Sequence, residues 1–257
     1  MKNLIRAELR KTFTTSAWWV LLLCMTAWIG LSLAMVVATA GMQGLPGRDD
    51  PGFAPWAWPQ AATGAIFAMV LGILSVTTEF QHRTITPTFL AEPRRGRVVA
   101  AKLVAAAGTG VFLGVVAIAL TSAVLIPSIL LSGGSLHLAD NQVPRILMGS
   151  LTGYVLYALL GLALGTLVRH QIGALVIGVL WAMLVEPVLT AIPPLSDVTK
   201  WLPGSAVAAL YDTGMDLSEF GLGGDLLPVW IAALTLLGYV ALFTLVASAT
   251  TLRRDIA

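Results

Sequence analysis

Six long apolar runs, almost free of charge, dominate this sequence and leave few folds open to it. They cover residues 18–40, 61–78, 103–131, 146–168, 171–192 and 227–252. An α-helix rises 1.5 Å per residue, so about 20 residues cross about 30 Å of hydrocarbon. Backbone polar groups cannot stay unpaired in lipid, so runs of this kind have to be helical there. The sequence therefore predicts an all-α, polytopic membrane protein in which residues 1–257 form one domain with six transmembrane helices.

The low content of charged residues supports a membrane environment. Charged residues make up 11% of the 257 residues, whereas soluble domains carry about 25%. The net charge of +2 gives no reason to expect a nucleic-acid partner. Cys24 is the only cysteine, which excludes an intrachain disulfide and a cysteine-based metal cluster.

The first apolar run resembles a secretory leader at its end, where Ala38-Thr39-Ala40 fits a small-residue cleavage pattern. The run holds 23 residues without a charge, however, which exceeds the apolar core of a leader and suits a spanning helix. We therefore interpret residues 18–40 as the first span.

The distribution of lysine and arginine predicts the orientation, because cytoplasmic flanks are enriched in these residues. With both termini in the cytoplasm, twelve Lys or Arg residues lie inside and three lie outside. The inner set is Lys2, Arg6, Arg10, Lys11, Arg83, Arg94, Arg95, Arg97, Lys102, Arg169, Arg253 and Arg254, and the outer set is Arg48, Arg145 and Lys200. We predict a plasma (cytoplasmic) membrane protein with both ends inside.

The first sixteen residues have a narrow apolar face. Ile5, Leu9 and Phe13 recur at a spacing of four, and most of the basic residues lie off that face. This pattern predicts an amphipathic helix in the inner headgroup layer over residues 1–16. The alternative is a basic flank that only sets the topology.

Residues 79–97 form the longest predicted cytoplasmic loop. Phe80, Ile85, Phe89 and Leu90 lie there among charged residues, so the loop can form a short helix with one apolar side. Such a surface is typical of a helix that docks into a groove of a partner protein. A solvated basic loop without a partner is the equal alternative.

Three segments together resemble a known family. The first segment is the loop, with Glu79-Phe80, Arg83-Thr84-Ile85, Phe89-Leu90, Glu92-Pro93-Arg94-Arg95 and Lys102. The second is Glu8-Leu9-Arg10-Lys11 near the start of the chain. The third is Trp201-Leu202-Pro203-Gly204-Ser205-Ala206 before the last span. With six spans and both ends inside, the chain resembles the type 2 permeases of ATP-binding-cassette exporters. Arg83 departs from the family pattern, since many relatives have glycine at that position.

The resemblance implies a transport subunit that performs no catalysis itself. It implies a coupling helix in the loop, in which Glu79 and Arg83 orient the helix, Phe80 and Thr84 belong to the coupling segment, and Phe89 and Leu90 are the apolar anchors. The partners would be a separate ATPase subunit, a second or related permease and membrane lipids, and short re-entrant helices would precede the sixth span.

ATP chemistry would also lie outside this chain. The sequence has no Gly-x-x-x-x-Gly-Lys-Ser/Thr motif, so ATP and magnesium would be bound by the ATPase and this chain would hold no cofactor. The expected cargo is an amphipathic, lipid-like, drug or peptide molecule. An ion-gradient-driven secondary transporter or a channel is the alternative function.

Glu186 is the carboxylate that falls inside a predicted span, and Pro187 follows it. An intramembrane ionisable residue is a candidate for the translocation path. Alternatively, Glu186-Pro187 marks the point where the fifth helix breaks near the outer interface.

Two further patterns bear on packing and on metals. Glycines with small-xxx-small spacing predict close helix contacts, either within the chain or in a dimer; the pairs are Gly110 with Gly114, Gly149 with Gly153, and Gly161 with Gly165. The histidines are scattered at positions 82, 137 and 170, so we predict no metal site.

Overall fold

The protein, analysed as a computed structural model, is described over residues 1–42, 44–82, 84, 94–136, 142–212 and 226–250, and each regular element there is a helix. Six helical segments are long and apolar enough to cross a membrane: Ala17–Thr39, Phe53–Gln81, Gly96–Leu131, Gln142–Val168, Gln171–Thr190 and Val229–Ala247. The prediction of a helical, multi-pass membrane protein is therefore confirmed.

The helices follow one another with short connections. The first half contains α1 (Lys2–Thr14), α2 (Ala17–Thr39), α3 (Phe53–Ala57), a 3-10 turn (Trp58–Ala62), α4 (Ala65–Gln81) and α5 (Arg95–Leu131). The second half contains α6 (Gln142–Val168), α7 (Gln171–Leu180), a π-helical turn (Trp181–Val185), α8 (Glu186–Thr190), a 3-10 turn (Pro193–Leu195), α9 (Ser196–Thr199), α10 (Pro203–Leu210) and α11 (Val229–Thr250).

Helix α6 lies at the centre of the bundle. It packs most extensively against α4, and then against α5 and α11. Two of its glycines make this possible, because a Cβ at Gly161 would collide with the carbonyl of Met69 in α4 and a Cβ at Gly149 with the carbonyl of Leu210 in α10. Each predicted glycine pair contacts another helix of the same chain. Their spacing therefore serves packing within one chain.

The two helices beside the long loop extend beyond the predicted limits of the apolar runs. Helix α4 continues to Gln81 and α5 begins at Arg95, so Glu79 and Phe80 are helical and the connection is residues 82–94. The hydropathy limits stop at the first charged residues, but charge alone does not break a helix.

The bundle has a basic face and an opposite face. The basic face carries α1, the carboxyl end of α4 and the amino end of α5. The opposite face carries α8, α9 and α10, and α10 packs against α6 and α11. Helices α2, α7 and α11 present mostly exposed apolar side chains on the outside of the bundle, which is the surface that lipid covers in a membrane.

The fifth span is irregular where the sequence predicts a break. A π-helical turn over Trp181–Val185 precedes Pro187, the second residue of α8. Proline lacks an N–H and its ring crowds the carbonyl four residues earlier, here Met183. The wider π turn accommodates that carbonyl without ending the span.

Candidate functional site

Four charged side chains from three helices meet on the basic face. Lys102 Nζ of α5 donates to Glu8 Oε2 of α1 at 2.7 Å and to Glu79 Oε1 of α4 at 2.6 Å. Lys11 Nζ of α1 donates to Glu8 Oε1 at 2.7 Å and to Glu79 Oε1 at 2.9 Å. Two ammonium groups thus alternate with two carboxylates. We call Glu8, Lys11, Glu79 and Lys102 the charge network.

The charge network is largely removed from water. Glu79 is 5% exposed, Lys102 is 8% exposed and Glu8 is 9% exposed. The Lys11 side chain lies at the edge and is 44% exposed. Isolated buried charges are costly, and alternating partners offset that cost through short, charge-assisted hydrogen bonds.

The ionisation of the two α1 residues follows from these contacts. Burial raises the pKa of the Glu8 carboxyl, but Lys102 and Lys11 outweigh burial, so the pKa lies below its ordinary value. Burial lowers the pKa of the Lys11 ammonium, and hydrogen bonds to Glu8 and Glu79 outweigh it, so the pKa lies above its ordinary value. Both groups are therefore charged at neutral pH.

The network fixes both ends of the 82–94 connection to α1. Glu79 lies in the last turn of α4, and Lys102 lies two turns into α5. In addition, the Thr84 N–H donates to the Glu79 carbonyl at 3.0 Å, which folds the start of the connection back onto α4. The network therefore ties α1 to the last turn of α4 and to the second turn of α5.

Phe80 is held by the short connection between α6 and α7. The Arg169 guanidinium lies 5.8 Å from the centroid of the Phe80 ring, within cation–π distance. Arg169 has a φ of 59°, the left-handed conformation in which many helices end. His170 then accepts a hydrogen bond from the Gly173 N–H at 3.0 Å and caps α7.

The predicted coupling residues divide into two groups. Glu79, Phe80 and Thr84 lie together at the base of the connection. Arg83, Phe89 and Leu90 lie outside the described residues, and their orienting and anchoring roles stay predictions.

Sequence reasoning did not assign a site role to Glu8, Lys11 or Lys102. Two signals were present: Glu8 is the only carboxylate before Asp49, and Lys102 is the only Lys, Arg, Asp or Glu between residues 98 and 139. A lone charge of each sign beside apolar runs indicates a pair, but the sequence does not say that residues 8 and 102 meet.

Glu186 forms a second polar site on the opposite face. It is 3% exposed, and its Oε1 accepts a hydrogen bond from the Ser205 N–H at 2.8 Å. Ser205 is the third residue of α10, so Glu186 acts as an N-terminal cap supplied by another helix. A Cβ on Gly204 would lie 2.8 Å from Glu186 Oε1, so a larger residue there would force the carboxylate to shift.

This contact favours a structural role for Glu186. The carboxylate joins the end of the fifth span to α10, which in turn packs on α6 at Gly149. Its second oxygen, Oε2, receives no hydrogen bond from the residues that the structure describes. The path-lining role stays a prediction.

No protein-family model matches the chain, and a search of the curated proteins finds no match.

Proposed function

We propose that the chain is the transmembrane permease subunit of an ATP-driven exporter of the ATP-binding-cassette type 2 class. The observation that carries the proposal is the charge network, which joins α1 to both ends of the 82–94 connection through buried ion pairs. A loop that received force from an ATPase would need this kind of rigid base.

In this proposal the basic face is cytoplasmic and α1 lies in the inner headgroup layer. Ile5 and Leu9 on α1 are half-buried, while Lys2, Arg6 and Arg10 are exposed, which suits an interfacial helix. The connection 82–94 enters a cleft of the ATPase through Phe89 and Leu90. Closure of two ATPase subunits then moves α4 and α5 through the network.

The opposite face forms the exit side. The short helices α9 and α10 re-enter the membrane there and cap the path, and Glu186 holds α10 in place. Two permeases, either identical or related, enclose the path for an amphipathic cargo. ATP and magnesium are bound by the partner ATPase.

Copurification tests the ATPase partner. The tagged chain is purified from its native membrane, and the proteins that copurify are identified by mass spectrometry. We expect an ATPase with the wild-type chain and its loss from the double variant Phe89→Asp with Leu90→Asp. Val198→Asp is the matched control, because Val198 is exposed on the opposite face; it should retain the ATPase. An ATPase that persists with the double variant would remove the docking surface.

Transport energetics and topology separate the rival function. Transport by inverted vesicles should stop when ATP is withheld and continue when a protonophore collapses the proton gradient. The reverse result would favour a secondary transporter.

The predicted topology is tested by labelling, for which Cys24 is first changed to Ala and Thr88 to Cys. A membrane-impermeant maleimide should then label residue 88 only in broken cells, and labelling of intact cells would overturn the orientation.

A further inference from the structure

A cavity of about 430 Å³ lies beside the charge network, between α1, α4 and the first residue of α7. Glu8, Lys11 and Glu79 line one part of it. Exposed residues, among them Thr15 and His82, also line the cavity and connect it to the surface. The site is thus reachable from outside the bundle.

Four of the hydroxyl groups that line this cavity can act toward a ligand only as hydrogen-bond acceptors. Thr12 and Thr15 donate their protons to backbone carbonyls of α1 at 3.3 and 2.8 Å. Ser75 and Thr78 donate theirs to backbone carbonyls of α4, both at 2.7 Å. A hydroxyl has one proton to donate, so each of these oxygens offers only lone pairs to a ligand.

Glu79 is a further acceptor residue that lines the cavity. The residue is 5% exposed, and its Oε2 is buried and receives no hydrogen bond from the described part of the chain. Its Oε1 accepts from both lysines of the network. Because an ionised carboxylate only accepts, a ligand group that contacts Glu79 has to donate a hydrogen bond.

Lys11 indicates the kind of donor that fits. Its ammonium already bridges Glu8 and Glu79 at the border of the cavity. The side chain is 44% exposed, whereas the Lys102 side chain is 8% exposed. Lys11 can therefore swing into water while Lys102 keeps the network together, and the place it leaves suits another ammonium group.

The cavity also has an apolar end. Glu79, Thr78 and Ser75 lie at the polar end of α4, and Leu74 and Leu71 follow toward the middle of the span. Eight residues of helix separate Glu79 from Leu71, about 12 Å. We infer that the cavity binds an amphiphile with a primary ammonium head group, which replaces Lys11 between Glu8 and Glu79 while its apolar part extends along α4.

A series of lipids that differ only in donor number tests this inference, which does not depend on the proposed function. The full chain is equilibrated with ethanolamine, N-methylethanolamine, N,N-dimethylethanolamine and choline phospholipids of the same acyl chains. Retained lipid is then measured after purification. Retention should fall along the series as N–H donors are lost, by about tenfold overall. Equal retention of all four would overturn the inference.

Removal of Lys11 gives the sharpest contrast. Lys11→Met vacates the ammonium position, so retention of the ethanolamine lipid should rise. If the cavity instead bound the lipid phosphate through Lys11, the same variant would lower retention and overturn the inference. Lys2→Met removes the same charge from an exposed position of α1 and should leave retention unchanged.

The acceptor oxygens are tested by isosteric change. Thr78→Val replaces the hydroxyl by a methyl group and should lower retention of the ethanolamine lipid. Thr63→Val makes the same change at an exposed position outside the cavity and should leave retention unchanged.

A competition experiment identifies the source of the ammonium group. A long-chain alkylamine should displace the lipid and free ethanolamine should not; equal competition by ethanolamine would overturn the amphiphile assignment.

Discussion

The two faces of the bundle both bury carboxylates, but they stabilise them by different means. On the basic face, Glu8 and Glu79 receive full charges from Lys11 and Lys102. On the opposite face, Glu186 receives a backbone N–H at the amino end of α10. The first arrangement neutralises whole charges across three helices, and the second uses the partial positive charge of one short helix.

This difference predicts different responses to mutation. Two carboxylates and two ammonium groups form a balanced set, so the loss of one member leaves a buried charge without compensation. A helix end stabilises any good acceptor, charged or neutral, and its contribution is smaller. The basic face should therefore depend on charge, and the opposite face on hydrogen bonding.

Lys102→Met should have the largest effect on stability. It leaves two buried carboxylates with only the half-exposed Lys11, which should lower the free energy of unfolding by about 3–5 kcal/mol. Reversible unfolding in mixed micelles measures the change. Lys200→Met is the control, because Lys200 pairs with the highly exposed Asp197 and the pair should contribute nothing measurable. A small loss for Lys102→Met would mean that water reaches the network.

The double variant Lys102→Met with Glu79→Gln should be more stable than Lys102→Met alone. One carboxylate and one ammonium, Glu8 and Lys11, then remain 2.7 Å apart, and the charge balance is restored. The same unfolding measurement, arranged as a double-mutant cycle, gives the coupling between residues 79 and 102. Additive losses would show that the two residues act independently and that the basic face does not depend on charge balance.

Some of this contrast could be predicted from the sequence and some could not. The six spans follow from apolar length, and Pro187 correctly indicated an irregular fifth span. The charge network was missed because a hydropathy window counts a charge such as Lys102 but not its partner Glu8, which is 94 residues away. The cap on α10 was missed because it depends on a tertiary contact, in which Gly204 lets Glu186 approach.

The contributions of Glu8 and Lys11 to the free energy of unfolding should stay constant between about pH 4.5 and 10.5. The Glu8 pKa lies below its ordinary value of 4.5, so its contribution is present above pH 4.5 and is lost as pH falls through the folded value. The Lys11 pKa lies above its ordinary value of 10.5, so its contribution is present below pH 10.5 and is lost as pH rises through the folded value.

Lys11→Met provides the check on this profile. It removes the lysine, so the alkaline loss that belongs to Lys11 should become smaller in unfolding measurements across pH. If the loss of stability at alkaline pH were unchanged, it would belong to another group. Lys2→Met, an exposed substitution on the same helix, should leave the loss of stability at alkaline pH as it is in the wild-type chain.

The smallest expected effect lies on the opposite face and tests the comparison most directly. Glu186→Ala removes the acceptor for the Ser205 N–H and should cost about 1 kcal/mol, the usual contribution of an N-terminal cap. Hydrogen exchange of the α10 amides should increase. Glu186→Gln keeps a carbonyl oxygen for the same N–H and should cost less. If Gln were as damaging as Ala, the full charge of Glu186 would be required, and the two faces would follow the same electrostatic principle.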